Sequence, residues 1–272
     1  MKQPPFVLAG LFSVVALCAE AGQTPIAVTG FNQDMVVDAS TPLTSAAFQS
    51  SITATMDSGT AKTWTTWYQI GENTSAPGSG LPMGTTFVSA SDPSTSFALQ
   101  SATGNNAIML DSSNITGSFS LTTPTVFSSL SLLGASAVGP TTLGVTVQFT
   151  DLTTLSLGNL VMQDWFNGAP VARAANGRIF AGGFDAVSSG NPRLYQFDLP
   201  LSGVALIKPI LDITFTDVSG SQSRAAIFGL SGSAMIPTPV PEPSTLAFFG
   251  AGLAGLVGLL LRRRRTCRRA SF

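Results

Sequence analysis

Val145-Thr146-Val147-Gln148-Phe149-Thr150 is the stretch that decides the fold. In an extended chain Val145, Val147 and Phe149 share one face, and Thr146, Gln148 and Thr150 share the other. A period of two marks a strand with one buried and one wet face. Leu211-Asp212-Ile213-Thr214-Phe215-Thr216 repeats the pattern, and residues 117–123 follow it. In residues 193–202, Tyr195, Phe197, Leu199 and Leu201 oppose Gln196, Asp198 and Pro200. Further strands are predicted at 85–90, 95–100, 107–110, 130–133, 154–157 and 225–230. Gly, Pro, Asn and Ser-rich turns separate these runs, and no stretch carries a capped helical stripe. About ten short strands over ~200 residues predict an all-β body, an antiparallel β-sandwich or jelly roll. Residues 24–28 and 236–243 read as linkers. Residues 71–83 read as a long exposed loop, or as the divide between a small N-terminal unit and the main sandwich.

Composition narrows the chemistry. The chain has 272 residues, and its two cysteines, Cys18 and Cys267, lie outside the strand-rich region. The body must therefore be held by its core, without disulfides. There is no histidine, which excludes Ser-His-Asp and Cys-His catalysis and His-ligated zinc or copper. A hydrolase would have to work with paired carboxylates. Of 13 Lys and Arg, six fall between residues 22 and 235, against 12 of the 14 Asp and Glu. A body near −6 with no basic run excludes nucleic acid as a partner.

Both ends read as targeting segments. Lys2 precedes an apolar stretch, 6–19, which ends in Ala19-Glu20-Ala21 followed by Gly22. That order predicts a signal peptide, 1–21, cleaved between Ala21 and Gly22. Cys18 raises a lipoprotein alternative, but a lipobox wants a small residue before the cysteine and Leu17 is large. At the other end Thr238-Pro239-Val240-Pro241-Glu242-Pro243-Ser244-Thr245 leads into an uncharged run, 246–261. With Ser244 and Thr245 this reaches the minimum for a bilayer span, predicting one transmembrane helix at about 244–261. Arg262, Arg263, Arg264 and Arg265 begin an arginine-rich tail, 262–272, which the positive-inside rule holds in the cytoplasm. Pro241 and Pro243 cannot enter a helix interior, so Glu242 is left on an extended stretch open to a processing enzyme. Ala251/Gly255 and Ala254/Gly258 give the helix small-xxx-small spacing, which suits close approach of another helix or a weakly packing generic anchor.

These residues, 238–265, together resemble the PEP-CTERM sorting signal of bacterial exported proteins. The resemblance implies an exosortase-type membrane enzyme as partner and a host that makes extracellular polysaccharide. The signal also occurs on some ice-binding proteins. Residues 266–272 extend beyond the arginine block, where many such signals stop. The predicted organisation is a signal peptide (1–21), an exported β-sandwich domain (22–235), a PEP-CTERM-like sorting segment (236–265) and the arginine-rich tail.

Candidate binding residues are few. Trp64 and Trp67 read either as core or as a platform for the apolar face of a sugar; on one strand they point to opposite faces. Asp164, Trp165, Arg193 and Tyr195 could converge on a polar ligand. The plainer reading makes Asp164 a turn cap, Arg193 the partner of an acid and Tyr195 a core residue. Segments 164–166, 191–195 and 227–232 resemble β-sandwich bodies seen with this tail and, faintly, galactose-binding-like jelly rolls, which assigns no site. Asp151, Asp185, Asp212 and Asp217 are the oxygen donors Ca²⁺ takes, but no Asp-x-Asp spacing groups them. No catalytic residue, metal or cofactor is assigned. The expectation is a noncatalytic surface or extracellular-matrix protein, membrane-anchored through its C-terminal helix, that contacts extracellular polysaccharide. A carboxylate-dependent polysaccharide enzyme and an ice-binding or adhesive protein are the alternatives.

Overall fold

The computed structural model describes residues 22–42, 44–71, 80–185, 190–220 and 222–235. The signal peptide, the sorting segment with Pro241, Glu242 and Pro243, the helix predicted at 244–261 and Arg262 to Arg265 lie outside these residues. Among the described residues no helix is long and apolar enough to cross a membrane.

The chain begins with short strands β1 (Thr24–Pro25), β2 (Val28–Thr29) and β3 (Val36–Val37), then helix α1 (Ser45–Ser51). Next come β4 (Trp67–Tyr68), β5 (Thr86–Val88), β6 (Ser96–Ala98) and β7 (Ile108–Leu110). The long strands follow: β8 (Thr116–Thr125), β9 (Phe127–Ala137), β10 (Thr141–Phe149) and β11 (Thr154–Met162). The last are β12 (Val171–Ala174), β13 (Arg178–Phe180), β14 (Gly183–Asp185), β15 (Arg193–Leu199), β16 (Ile210–Asp217) and β17 (Arg224–Ala234). Two antiparallel sheets dominate. One runs β1-β17-β9-β15-β12 with β7 also on β17, and the other runs β11-β10-β16-β8-β2. The all-β, antiparallel sandwich expected from the strand pattern is what the chain forms.

The stretch around Val145 sits in the middle of the second sheet. β10 alternates buried and half-buried residues along its whole length. Its inward residues Leu143, Val145, Val147 and Phe149 join Phe119, Ile213 and Phe215 in one core with residues of the first sheet. Phe119 packs edge-on against Phe215 (5.9 Å) and Phe31 (4.9 Å). The sheets touch directly where Ile108 covers Gly117. A Cβ there would lie 2.5 Å from Ile108 Cγ2, so this position needs glycine.

The first sheet is covered on both faces. Every residue of β17 from Ala225 to Ser233 is buried, although successive positions of a strand turn to opposite faces. Trp67 lies against Phe228 at 6.2 Å. Beside it a second cluster gathers Val37, Phe48, Ile52, Tyr68 and Ile179, from α1, the parallel β3–β4 pair and the β13–β14 hairpin. Burial on both faces removes the two-residue alternation, which explains why residues 130–133 and 225–230 showed only fragments of β9 and β17.

Three expectations change. A short helix does occur: Thr44 caps α1 by accepting from the Ala47 N–H at 3.4 Å. With seven residues and one buried side chain, Phe48, it has too few turns to show a stripe. Residues 24–28 are not a free linker, since β1 pairs with β17 and β2 with β8, tying the start of the body to both sheets. The far end of the 71–83 segment is also part of the core, where Leu81 and Met83 are buried.

Asp34 secures the N-terminal segment. Its carboxylate accepts from Asn106 Nδ2 at 2.6 Å, and Asn106 Oδ1 accepts the Met35 N–H at 2.9 Å. Only 7% of Asp34 is exposed, and burial pushes its carboxyl up to about 6 against the opposing hydrogen bond from Asn106. Its folded value lies above its unfolded one, so stability is greatest below about 4 and is lost as pH rises through about 6. Acidification from pH 7 to pH 4.5 should therefore raise stability in urea by about 2 kcal/mol, since each pH unit below the folded value adds about 1.4 kcal/mol. In Asp34→Asn that rise should largely vanish; an unchanged pH profile would show that the charge at Asp34 is not the cause.

Candidate functional site

Asp164, Trp165, Arg193 and Tyr195 do come together, but around one another. β9 and the 164–168 turn meet where Trp165 N–H donates to Ser136 O at 2.7 Å. Asp164 caps that turn: Oδ1 accepts the Phe166 N–H at 3.0 Å and Oδ2 the Gly139 N–H at 2.8 Å. The fully buried Tyr195 donates its hydroxyl to Asp164 O at 2.7 Å and accepts the Gly168 N–H at 2.9 Å. Burial raises the Tyr195 phenol, keeping it a neutral donor. Arg193 reaches backbone, donating to Gly190 O (2.6 Å) and Gly168 O (3.0 Å), where the sequence suggested an acidic partner. These groups spend their hydrogen bonds on fixing a turn, and the ring of Tyr195 lies so close to Gly168 that a Cβ would sit 2.7 Å from Cζ.

The tryptophans divide by depth. Trp67 is fully buried and Trp165 is 2% exposed, packed edge-on at 5.2 Å. Trp64, three residues earlier, is 64% exposed. Its loop is pinned from beneath: Ser58 Oγ accepts the N–H of Thr63 at 2.9 Å and of Trp64 at 3.2 Å. Next in sequence, the Thr65 hydroxyl donates to Asp57. Asp57 is paired with Arg178 at 3.0 Å, and burial raises its carboxyl. Arg178 also holds Asp185 at 2.8 Å and lies 5.0 Å from the Phe166 ring. The backbone of the loop that carries Trp64 is thus hydrogen-bonded beside a charged cluster, through Ser58 and through Thr65 on Asp57.

The four acids considered for Ca²⁺ are spread apart. Asp151 pairs with Lys208 at 2.6 Å, Asp185 with Arg178, and Asp217 accepts from Ser219. Asp212 lies mid-strand in β16, opposite Gln148 and Ser120. Among the described residues no three His, Cys, Asp or Glu side chains gather as a ligand set.

The strand pattern gave no sign of a polar cavity of about 350 Å³ lined by Gln23, Asp92, Ser94, Ser128, Ser129 and Asp198. Together with Ser233 on β17, its residues come from five separate segments and carry no motif. The outward face of the β11-β10-β16-β8 region shows a third feature, a row of hydroxyls: Ser156, Thr146, Thr214 and Ser118 are register partners in turn. Ser118 and Thr214 hydrogen-bond at 2.8 Å. Register shifts beside Thr146, Phe149 and Asp212 keep this from becoming a regular lattice.

Residues 239–265 match the PEP-CTERM protein-sorting motif. This motif is the substrate signal of exosortase enzymes, so the chain is an exported protein sorted toward the cell surface. No curated protein matches the chain in sequence. Among solved structures it is similar to two mutants of a family 29 carbohydrate-binding module, studied for their mechanism of ligand recognition. Each is 12% identical with a TM-score of 0.29, over 57% and 54% of this chain and 82% of theirs. At that similarity no argument about fold or ligand passes from them to this chain, and the sandwich assignment rests on its own strand pairing.

Tyr195→Phe removes a donor and an acceptor, leaving Asp164 O and the Gly168 N–H unmatched. It should lower stability by about 1–3 kcal/mol in urea denaturation while the fold persists. An unchanged midpoint would mean that the hydroxyl does not hold the turn.

Proposed function

We propose that the chain is an exported, noncatalytic β-sandwich protein of the cell surface or extracellular matrix that contacts polysaccharide, with Trp64 as its stacking platform. The observation that carries this reading is the exposure of Trp64 on a pinned loop while the other two tryptophans are buried. Sugars present apolar C–H faces that pack on aromatic planes, and a loop whose backbone is already held loses less entropy on binding. The sorting motif supports the location. Residues 1–21 act as a signal peptide cut between Ala21 and Gly22, and 22–235 form the exported domain. The 244–261 helix holds the precursor in the membrane, with 262–272 in the cytoplasm, while an exosortase acts at Pro241, Glu242 and Pro243.

The enzyme alternative needs two carboxylates in one cavity, one of them able to donate a proton. Asp92 and Asp198 do share a cavity. The hydroxyls of Thr95 and Ser94, however, hold Asp92 down at about 2, which suits an anion and not a general acid. The hydroxyl row on the outer sheet face supports an adhesive or ice-binding alternative, weakened by the register shifts that interrupt it.

Trp64→Ala should reduce retention of the full chain on the host's extracellular polysaccharide about tenfold, the equivalent of one stacking contact near 1.4 kcal/mol. Leu152→Ala, which trims another strongly exposed apolar side chain, should leave retention unchanged. Equal retention by all three proteins would remove Trp64 from the account.

A further inference from the structure

A strand at the edge of a sheet offers unpaired N–H and C=O groups to any strand that can reach it. The edges of the two large sheets differ in how they are closed. β1 and β2 are two residues long. Beside β7, the Asn32 amide bonds both the Met109 N–H (2.8 Å) and the Met109 carbonyl (3.2 Å). β12 carries Arg173 and receives the Ala90 N–H on Ala172 O at 2.9 Å. β11 is nine residues long and, among the described residues, pairs with β10 alone.

This edge also lacks the charges and prolines that keep edges apart. Residues 152–163 contain neither, although residues 22–235 hold 12 acids and six bases. Two copies of so acidic a body repel each other least along a charge-free strip. The exposure of β11 is moreover symmetric. A register shift in its pairing with β10, beside Gly158 at φ +92, gives it two successive exposed positions, 158 and 159. Outward from that centre, Leu157 and Leu160 are half-buried, Ser156 and Val161 are exposed, Leu155 is half-buried and Met162 buried. The row therefore reads alike in both directions. An antiparallel pair about a two-fold axis matches such a row with itself, inward residue to inward residue. Leu157 and Leu160 also open on a cavity of about 270 Å³ walled by Val145 of the second sheet and by Leu199 and Pro200. Asp198, on the same wall, is already engaged by Ser131 (2.5 Å) and Gln196 (3.1 Å).

We propose that β11 is a self-association edge, along which two copies of this chain pair antiparallel about a two-fold axis at Gly158 and Asn159. Ser156 then stands opposite Val161 of the second copy, and Leu157 opposite its Leu160. The pairing joins two five-stranded sheets into one of ten and brings the two apolar cavities face to face. The contact is isologous and uses the same edge on both copies, so growth stops at two. Nine residues span about 30 Å and two stacked sheets about 20 Å, so each copy covers about 600 Å². A total of about 1,200 Å² is at the low end for specific interfaces, which sets the dissociation constant on the order of 10–100 µM.

Sedimentation equilibrium of the full chain, with detergent micelles in excess over protein, tests this. The parent should follow a monomer–dimer equilibrium in that range. Val161→Lys and Ser156→Glu, both at exposed positions, should each weaken association at least about tenfold. Val161→Lys does so while lowering the net negative charge, so repulsion between whole bodies is not the cause. The double variant sets each new carboxylate opposite a new ammonium of the second copy and should return to within about threefold of the parent. Val88→Lys, at another exposed strand position, and Gly255→Leu, in the apolar C-terminal run, should associate as the parent does. Thermal midpoints of all variants, read on the dilute monomers, should match the parent and so separate lost pairing from lost folding. A monomer at every concentration up to about 1 mM would overturn the proposal and leave the edge to a different strand donor. Association that survives Val161→Lys, is lost in Gly255→Leu, or is not recovered by the double variant would overturn it as well.

Discussion

The structure depends on covering β9 and its partner β17. These two strands form the longest antiparallel pairing among the described residues, and β15 closes the other edge of β9. Both cysteines of the sequence fall outside residues 22–235, so no disulfide can stiffen the exported body and apolar burial has to hold it. Burial arrives from two sides. The second sheet supplies Phe119, Val147, Phe149 and Phe215 on one side. On the other, Trp67 and Trp165 form part of a layer of short elements. This second layer turns a plain sandwich into one with a braced outer face, and Trp64 stands at its rim.

Legibility followed burial. β10 and β16 are wet on one side, and their alternation could be read directly from Val145 to Thr150 and Leu211 to Thr216. β9 and β17, buried on both sides and rich in Gly, Ser and Ala, showed only partly. Two-residue pairs such as Val36–Val37 with Trp67–Tyr68 are too short for any period to register, and their parallel pairing depends on segments 30 residues apart. The candidate site was legible to a similar degree. The sequence could not say which of Trp64 and Trp67 was exposed, and the alternation considered for them does not apply, since Trp64 lies in the loop before β4. Asp164 and Tyr195 were foreseen as a cap and a core residue. The backbone partners of Arg193 were not, because carbonyls of Gly168 and Gly190 leave no trace in a side-chain pattern. The polar cavity, assembled from five segments, had no local signature.

Function divides along the chain in the same way. The C-terminal motif carries an address written in local chemistry: prolines flanking a carboxylate, an apolar run, and arginines. The body carries a surface assembled by tertiary packing, with an exposed indole on a hydrogen-bonded loop and, apart from it, a polar cavity. Neither half requires the other for its own physics. What joins them is delivery, since a surface that meets extracellular polymer does so only after the body has left the cytoplasm.

Delivery with processing at both ends is accordingly the central claim, and the intact mass of the protein recovered from its host's membranes and culture medium tests it most directly. The account predicts a species that begins at Gly22 and ends near Pro243, without Arg262 to Arg265. A chain that retains those arginines in every fraction would contradict it, and would make the C-terminal helix a permanent anchor for a tethered body.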